Sequence, residues 1–340
     1  MLANPVLPHS EGEIVLQSAD RNVHPAINMN YFADPLPAIR LKVKPGSHSM
    51  KHAILGAGAI GGLMATALAS LGEDVTLIVR PEKLVGYPHT LSLERPSGMI
   101  TAPAKVVARL TEPVNVLWIA TKTYQLADAL AEVETVPSII VPLLNGVDHV
   151  AVLRARFGDN RVVPATIAVE AERSAPGRFV QRSPVRLNVA ASGEPVLKDT
   201  IAGLQGLGFV CQFVASEPTL LWSKLCFLGP FALVTSASGK DLGEIMADAE
   251  WKAKLQSAVS EACAVAEKAG AQVDPEKMLA ILPGAPPTMR ASMAKDLAAK
   301  RTLELDGIAG PILRFGLRYG IPTATTSSLV RMIEATATHT

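Results

Sequence analysis

The six residues Gly56-Ala57-Gly58-Ala59-Ile60-Gly61 constrain this chain more than any other stretch. They fit the spacing Gly-x-Gly-x-x-Gly. A short apolar run at residues 52–55 precedes them, and an alanine-rich stretch with helical spacing follows at 60–71. In that setting each glycine has a task. Gly56 permits a tight turn, Gly58 lets the backbone approach a pyrophosphate, and Gly61 lets the helix pack closely on the strand. The helix start then offers free N–H groups and the positive end of its dipole to phosphates. A plain strand-to-helix turn is the simpler alternative, and the alternation of strands and helices around it argues against that.

Apolar runs at residues 74–79, 114–120 and 138–143 alternate with helix-like stretches at 124–133 and 147–157. Such alternation predicts βαβ units on a parallel sheet. Residues 162–189 read as antiparallel strands around turn signals at Pro176-Gly177 and Ser183-Pro184. A helix at 196–207 and a strand at 209–214 follow. After Glu217 strand signals vanish, and residues 222–236, 242–269, 291–300, 302–319 and 325–335 all read as helices. Pro311 falls inside the fourth, where a kink or break is expected. The expected fold is α/β: an N-terminal Rossmann-type parallel sheet with an added antiparallel part, then an all-α C-terminal domain. The expected boundaries are an extension and linker at 1–49, a dinucleotide-binding domain at 50–215 and a helical substrate domain at 216–340. The extension is rich in Pro and Asn, has a strand-like patch at 13–17, and ends in the linker signal Pro45-Gly46-Ser47. Met50 is a natural first residue for the domain after it.

A chain of 340 residues is long enough for two cores. Its net charge of +1 leaves no basic footprint for nucleic acid and no polybasic membrane patch. Apolar runs are short and interrupted, so no membrane span is expected, and the N-terminus lacks the pattern of a secretory signal. Cys211, Cys226 and Cys263 are widely spaced, an odd set that fits a reducing, cytoplasmic setting. The seven histidines show no ligand spacing, so no metal is expected.

The second expected strand ends at Val79-Arg80. A binder of the unphosphorylated dinucleotide usually has Asp or Glu there for the ribose 2′-hydroxyl. Arg80, with Lys83 nearby, suits a 2′-phosphate instead, because a guanidinium makes a forked pair with it. That favours NADP, although Glu82 is also close and Arg80 is otherwise a solvated charge. Lys122 and Asn145 follow two more expected parallel strands, at the edge where ligands bind in open α/β sheets. Their plainer readings are a surface charge at a helix start and an ordinary turn residue. Lys224 lies among Leu220, Leu221, Leu225 and Phe227. It is either a lysine snorkelling to water or a desolvated one whose lowered pKa suits proton donation. Glu304, between Leu303 and Leu305, is either an exposed helix charge or part of the same chemistry.

Taken together, these pieces resemble the ketopantoate reductase family (2-dehydropantoate 2-reductases) over residues 51–335. The matching parts are the turn from Gly56 to Gly61, Arg80, Lys122-Thr123, Leu144-Asn145-Gly146, residues 222–225, Ser292-Met293 with Asp296, and residues 302–306. The resemblance implies NADPH-dependent reduction of a 2-oxo acid. By it, Lys224 hydrogen-bonds the substrate ketone and donates a proton, and Glu304 is the acidic partner that orients substrate and lysine. Lys122 and Asn145 hold the nicotinamide end and the nearby substrate, Ser292 binds the substrate carboxylate, and Arg80 binds the 2′-phosphate. Three positions depart from the family pattern: Leu228, Ala232 and Ala309 stand where asparagines are usual. The first of those asparagines helps bind the hydroxyl end of pantoate-type substrates, so a more apolar 2-oxo acid is the alternative to ketopantoate. Separately, residues 12–35 resemble a short piece of the substrate domain of GMC-type flavin oxidoreductases, without any of that family's flavin or catalytic residues. That piece reads as a fused remnant or a mis-called start.

Two other functions fit parts of the pattern. A non-catalytic NADP-binding redox sensor would keep the turn, and Leu228 and Ala232 favour it mildly. Joint retention of Lys122, Asn145, Lys224 and Glu304 argues against it. An opine-type dehydrogenase shares the glycine-rich domain but needs a His-Asp pairing that the helical half does not show. The expected partner is a small 2-oxo acid, with no nucleic acid or membrane; the helical half could hold a homodimer interface, but nothing in the sequence demands one.

Overall fold

The computed structural model describes residues 49–338 and two short strands, β1 (Glu13–Val15) and β2 (Ala26–Asn28), which pair antiparallel with Ile14 opposite Ile27. The rest of residues 12–35, and with it the GMC resemblance, lies outside the described residues.

The glycine-rich turn joins β3 (Lys51–Leu55) to α1 (Ala59–Ser70). β3 is the middle strand of a five-stranded sheet of order β7-β4-β3-β8-β9, with β4 (Asp74–Ile78), β7 (Lys105–Val107), β8 (Val116–Ile119) and β9 (Ile139–Pro142). Every pairing in it is parallel. Successive side chains point to opposite faces of a strand, and here both faces are covered. Ala53, Leu55, Leu117 and Ile119 join one core with the C-terminal helices. Ile54, Val116 and Trp118 join a second core with α1. That is why these strands read as unbroken apolar runs.

The second core is closed by two smaller sheets. β5 (Thr90–Arg95) and β6 (Gly98–Pro103) combine with β11 (Ala171–Ala175) and β12 (Arg178–Gln181) in the order β11-β12-β5-β6. β10 (Ala165–Ala168), β13 (Arg186–Ala190) and β14 (Val210–Val214) form the other. Their pairings β10–β13, β11–β12 and β5–β6 are antiparallel, while β12–β5 and β13–β14 are parallel. Four helices connect this half: α2 (Pro81–Leu84), α3 (Leu126–Leu130), α4 (His149–Phe157) and α5 (Glu194–Gly206).

Helices alone follow: α6 (Glu217–Ser238), α7 (Leu242–Ala247), α8 (Ala249–Lys268), α9 (Pro275–Ala280), α10 (Ser292–Ala298), α11 (Leu305–Tyr319) and α12 (Ala324–Thr338). By length and composition α6 could cross a membrane, but 72% of its most apolar window is buried by its neighbours, as in a core helix. The single helix expected at 242–269 is two. Asp248 ends the first and caps the second, accepting from the Glu250 and Trp251 N–H groups. The break expected at Pro311 is absent, because α11 runs through it. Proline removes the donor to the carbonyl four residues back. That carbonyl belongs to Gly307, and it lies against Gly146, where an added Cβ would be 2.1 Å from its oxygen.

Two buried histidines are expected to make the fold acid-sensitive. His52 Nδ1 accepts from Trp118 Nε1 at 3.1 Å. Burial lowers its pKa from 6.5 to about 4. Burial, and then the charge of Lys224, lowers that of His149 to about 4 as well. Groups depressed on folding contribute stability that is fully present above the unfolded pKa and lost as pH falls towards the folded one. Each histidine is worth on the order of 3 kcal/mol at neutral pH. Thermal melts are therefore expected to drop steeply between pH 6.5 and about 4, with Trp118 fluorescence reporting the change. A flat Tm over that window would contradict this.

Candidate active site

The carboxyl ends of β3, β4, β8 and β9 open onto one cleft of about 1770 Å3, whose other wall is helical. The glycine-rich turn borders it. Gly56 has a φ of 106°, a left-handed conformation that favours glycine. A Cβ on Gly61 would lie 1.8 Å from the Gly56 carbonyl oxygen, so only glycine lets α1 start this close to β3. A Cβ on Gly58 would meet nothing within 4 Å. Gly58 therefore does not serve internal packing, and its open side borders the cleft. No side chain caps α1 there. Unpaired N–H groups beside an open glycine are the cradle a pyrophosphate needs.

Arg80 follows β4, borders the cleft with Lys83, and is largely exposed, 4.0 Å from Glu82 Oε1. A second cation, which sequence reasoning missed, approaches the turn from another sheet. Arg173 on β11 donates from Nη1 to the Ala57 carbonyl at 3.1 Å. No local pattern marks it, because 116 residues separate the two partners.

The other expected residues converge on Glu304, which is only 5% exposed. Its Oε2 accepts from Lys122 Nζ at 2.7 Å and from Asn145 Nδ2 at 3.2 Å. Its Oε1 accepts from the Thr123 N–H at 3.1 Å. Asn145 Oδ1 in turn accepts from Lys224 Nζ at 3.0 Å. Lys122, Asn145, Lys224 and Glu304 thus form one connected network, with Asp296 Oδ2 3.4 Å from Lys122 Nζ. Ser292 also borders the cleft, at the start of α10.

Two glycines make the convergence possible. Gly146 has a φ of 81° and no room for a Cβ against Gly307. A Cβ on Gly307 would lie 2.4 Å from Thr123 Oγ1. The start of α11 can therefore press against the loops after β8 and β9. Glu304 is the residue just before α11 rather than inside a helix beginning at 302.

The two lysines are tuned in opposite directions. Burial pushes the Lys224 ammonium down to about 8, against the pull of Glu304. Burial also opposes charge on Lys122, but Glu304 and then Asp296 outweigh it and its pKa is raised. Lys122 remains a fixed cation, while Lys224 can exchange a proton near neutral pH. Neighbouring groups driven apart in this way mark acid and base roles.

Of the three departures, only Leu228 borders the cleft. Ala232 and Ala309 are buried in the core shared with the C-terminal helices.

The chain matches the family description "Ketopantoate reductase PanE/ApbA" over residues 52–194 and "Ketopantoate reductase PanE/ApbA C terminal" over 219–337. A 2-dehydropantoate 2-reductase from Caulobacter vibrioides is 33% identical over 302 residues, 84% of this chain and 98% of that one. Among solved structures, a D-mandelate dehydrogenase with NADH and anilino(oxo)acetate superposes with a TM-score of 0.76 at 21% identity, covering 85% of this chain and 99% of the other. A PanE/ApbA family ketopantoate reductase from Ralstonia eutropha JMP134 gives 0.75 at 22%, with the same coverage. At such identities these two structures show a shared fold. The family descriptions and the Caulobacter relative go further: this chain belongs to the ketopantoate reductase (PanE/ApbA) family of oxidoreductases.

Proposed function

We propose that the protein reduces a 2-oxo acid with NADPH, the substrate being 2-dehydropantoate or a more apolar relative, and that Lys224 is the proton donor. The observation that carries this reading is the Lys224 ammonium, held by Asn145 in the cleft with a pKa of about 8. Bound NADPH would supply the hydride. The chain would hold its pyrophosphate at Gly56, Ala57, Gly58, Ala59, Ile60 and Gly61, its 2′-phosphate at Arg80, and its nicotinamide end at Lys122 and Asn145. Ser292 would take the substrate carboxylate. As hydride arrives at the ketone carbon, negative charge builds on oxygen. A cation fixed beside that oxygen stabilises charge that exists mainly in the transition state. Glu304 would hold Lys122 and Asn145, and through Asn145 it would aim Lys224.

The first test is NADPH consumption with a panel of 2-oxo acids. Turnover of at least one acid is expected. Tight NADPH binding with no turnover of any acid would favour the redox-sensor reading instead.

Cofactor binding separates the two arginines. Arg80→Ala is expected to weaken NADPH by roughly tenfold or more, the scale of a lost charge-assisted pair, and to leave NADH nearly unchanged. Arg173→Ala is expected to weaken both to the same degree, because the pyrophosphate is common to them. Fluorescence titration reads both. Equal use of NADH and NADPH by the unaltered protein would defeat the role given to Arg80.

A further inference from the structure

We propose that the acid reduced here carries a bulky apolar side chain, branched or aromatic, and no hydroxyl near its ketone. This rests on the reading of Lys224 as the group that binds the ketone oxygen.

Phe227, Leu228 and Phe231 follow Lys224 at the i+3, i+4 and i+7 positions of α6, so all four share one face of the helix. All four border the cleft. Phe227 and Phe231 stack with centroids 5.8 Å apart and planes 14° from parallel. Met278, Ile281 and Met289, from α9 and the chain between α9 and α10, border the same cleft. Ile281 is 55% exposed, although it is a large aliphatic residue at the rim of a cavity. Exposed apolar surface gathered around a concave site is the mark of a ligand surface.

A ketone held at Lys224 Nζ lies over the face of α6 that carries Leu228 one turn further along. A hydroxyl against Phe227, Leu228 and Phe231 meets side chains with no acceptor or donor and loses its bonds to water without replacement, although Thr288 and Arg290 border the same cleft beside Met289. A branched or aromatic group against the same three residues meets carbon. Leucine at 228 therefore both removes the hydroxyl's partner and adds to the surface that rewards its absence. The other two departures from the family pattern, Ala232 and Ala309, are buried in the core and take no part in this choice.

The test uses the full chain with NADPH. The substrates are 2-dehydropantoate and the 2-oxo acids derived from valine, leucine and phenylalanine. At least one of the apolar acids is expected to exceed 2-dehydropantoate in kcat/KM by roughly tenfold or more, the scale of hydrophobic-pocket discrimination. Leu228→Asn is expected to move the ratio towards 2-dehydropantoate by a similar factor. Ile281→Thr lies at an exposed position and leaves folding intact. It is expected to weaken the apolar acids several-fold without helping 2-dehydropantoate. Preference of the unaltered protein for 2-dehydropantoate, or a ratio unmoved by both variants, overturns the proposal. Dissociation constants of the same acids on the NADPH-loaded protein, read by tryptophan fluorescence, separate the two levels. Absence of turnover with any acid would sink the reductase reading, while the order of those constants still decides the side-chain class. Weaker binding of every apolar acid than of 2-dehydropantoate counts against it.

Discussion

Lys224→Met is expected to lower kcat by roughly 10^2–10^4, the range for a lost general acid, while NADPH still binds. That loss corresponds to about 3–5 kcal/mol of transition-state stabilisation. The methionine keeps the length and apolar stem of the side chain and removes the charge. The effect should fall on kcat rather than KM, because the ammonium is needed most when the ketone oxygen becomes negative. The pH dependence follows from the same group. A donor must be protonated, and burial holds Lys224 at about 8. For reduction, kcat/KM is therefore expected to be flat below about 8 and to fall as pH rises through it. Oxidation of the hydroxy acid needs the neutral amine and rises through the same value. The variant should lose the break in both directions.

Glu304→Ala is expected to cost as much, by a different route. Glu304 accepts from Lys122, Asn145 and the Thr123 N–H. Its removal leaves three part-buried donors without this acceptor, Lys122 keeping Asp296 alone, at roughly 1–3 kcal/mol of stability. Asn145 then loses the bond that fixes its amide, and Lys224 loses its aim. Glu304 is also the group that raises the Lys224 pKa against burial. Without it the alkaline limb of the reduction profile should move to lower pH. Thermal melts and the pH profile of kcat/KM check the two parts. An unmoved limb beside a lowered Tm would mean that Glu304 serves the fold alone.

Four strands of the parallel sheet were legible because strands buried on both faces read as apolar runs, and because the steric demand at Gly56 and Gly61 admits little but glycine; the three-residue edge strand β7 was not. The network was legible only as a set of separate residues. Lys122 and Glu304 are 182 positions apart, and no local period reports that they meet. The pairing depends on Gly146 and Gly307, which permit the close approach and look like ordinary turn and helix glycines in the sequence. β5 and β6 escaped notice because β5 buries only Leu91 and Leu93 and β6 only Ala102. β5 does alternate, but over only two apolar positions, and β6 has a single buried residue between the Pro and Gly turn signals around it. The segment around Pro311 misled: α11 runs through the proline, and the Gly307 carbonyl that loses its helical donor lies against Gly146 at the helix start.

Lys224 as proton donor is tested by the pH profile of kcat/KM for NADPH-dependent reduction of the best 2-oxo acid, in the unaltered protein and in Lys224→Met. A kcat/KM that falls above about 8 is expected in the unaltered protein, and a variant slower by roughly 10^2 or more with no such break. A variant that keeps most of the rate, or the same break in both proteins, would contradict it.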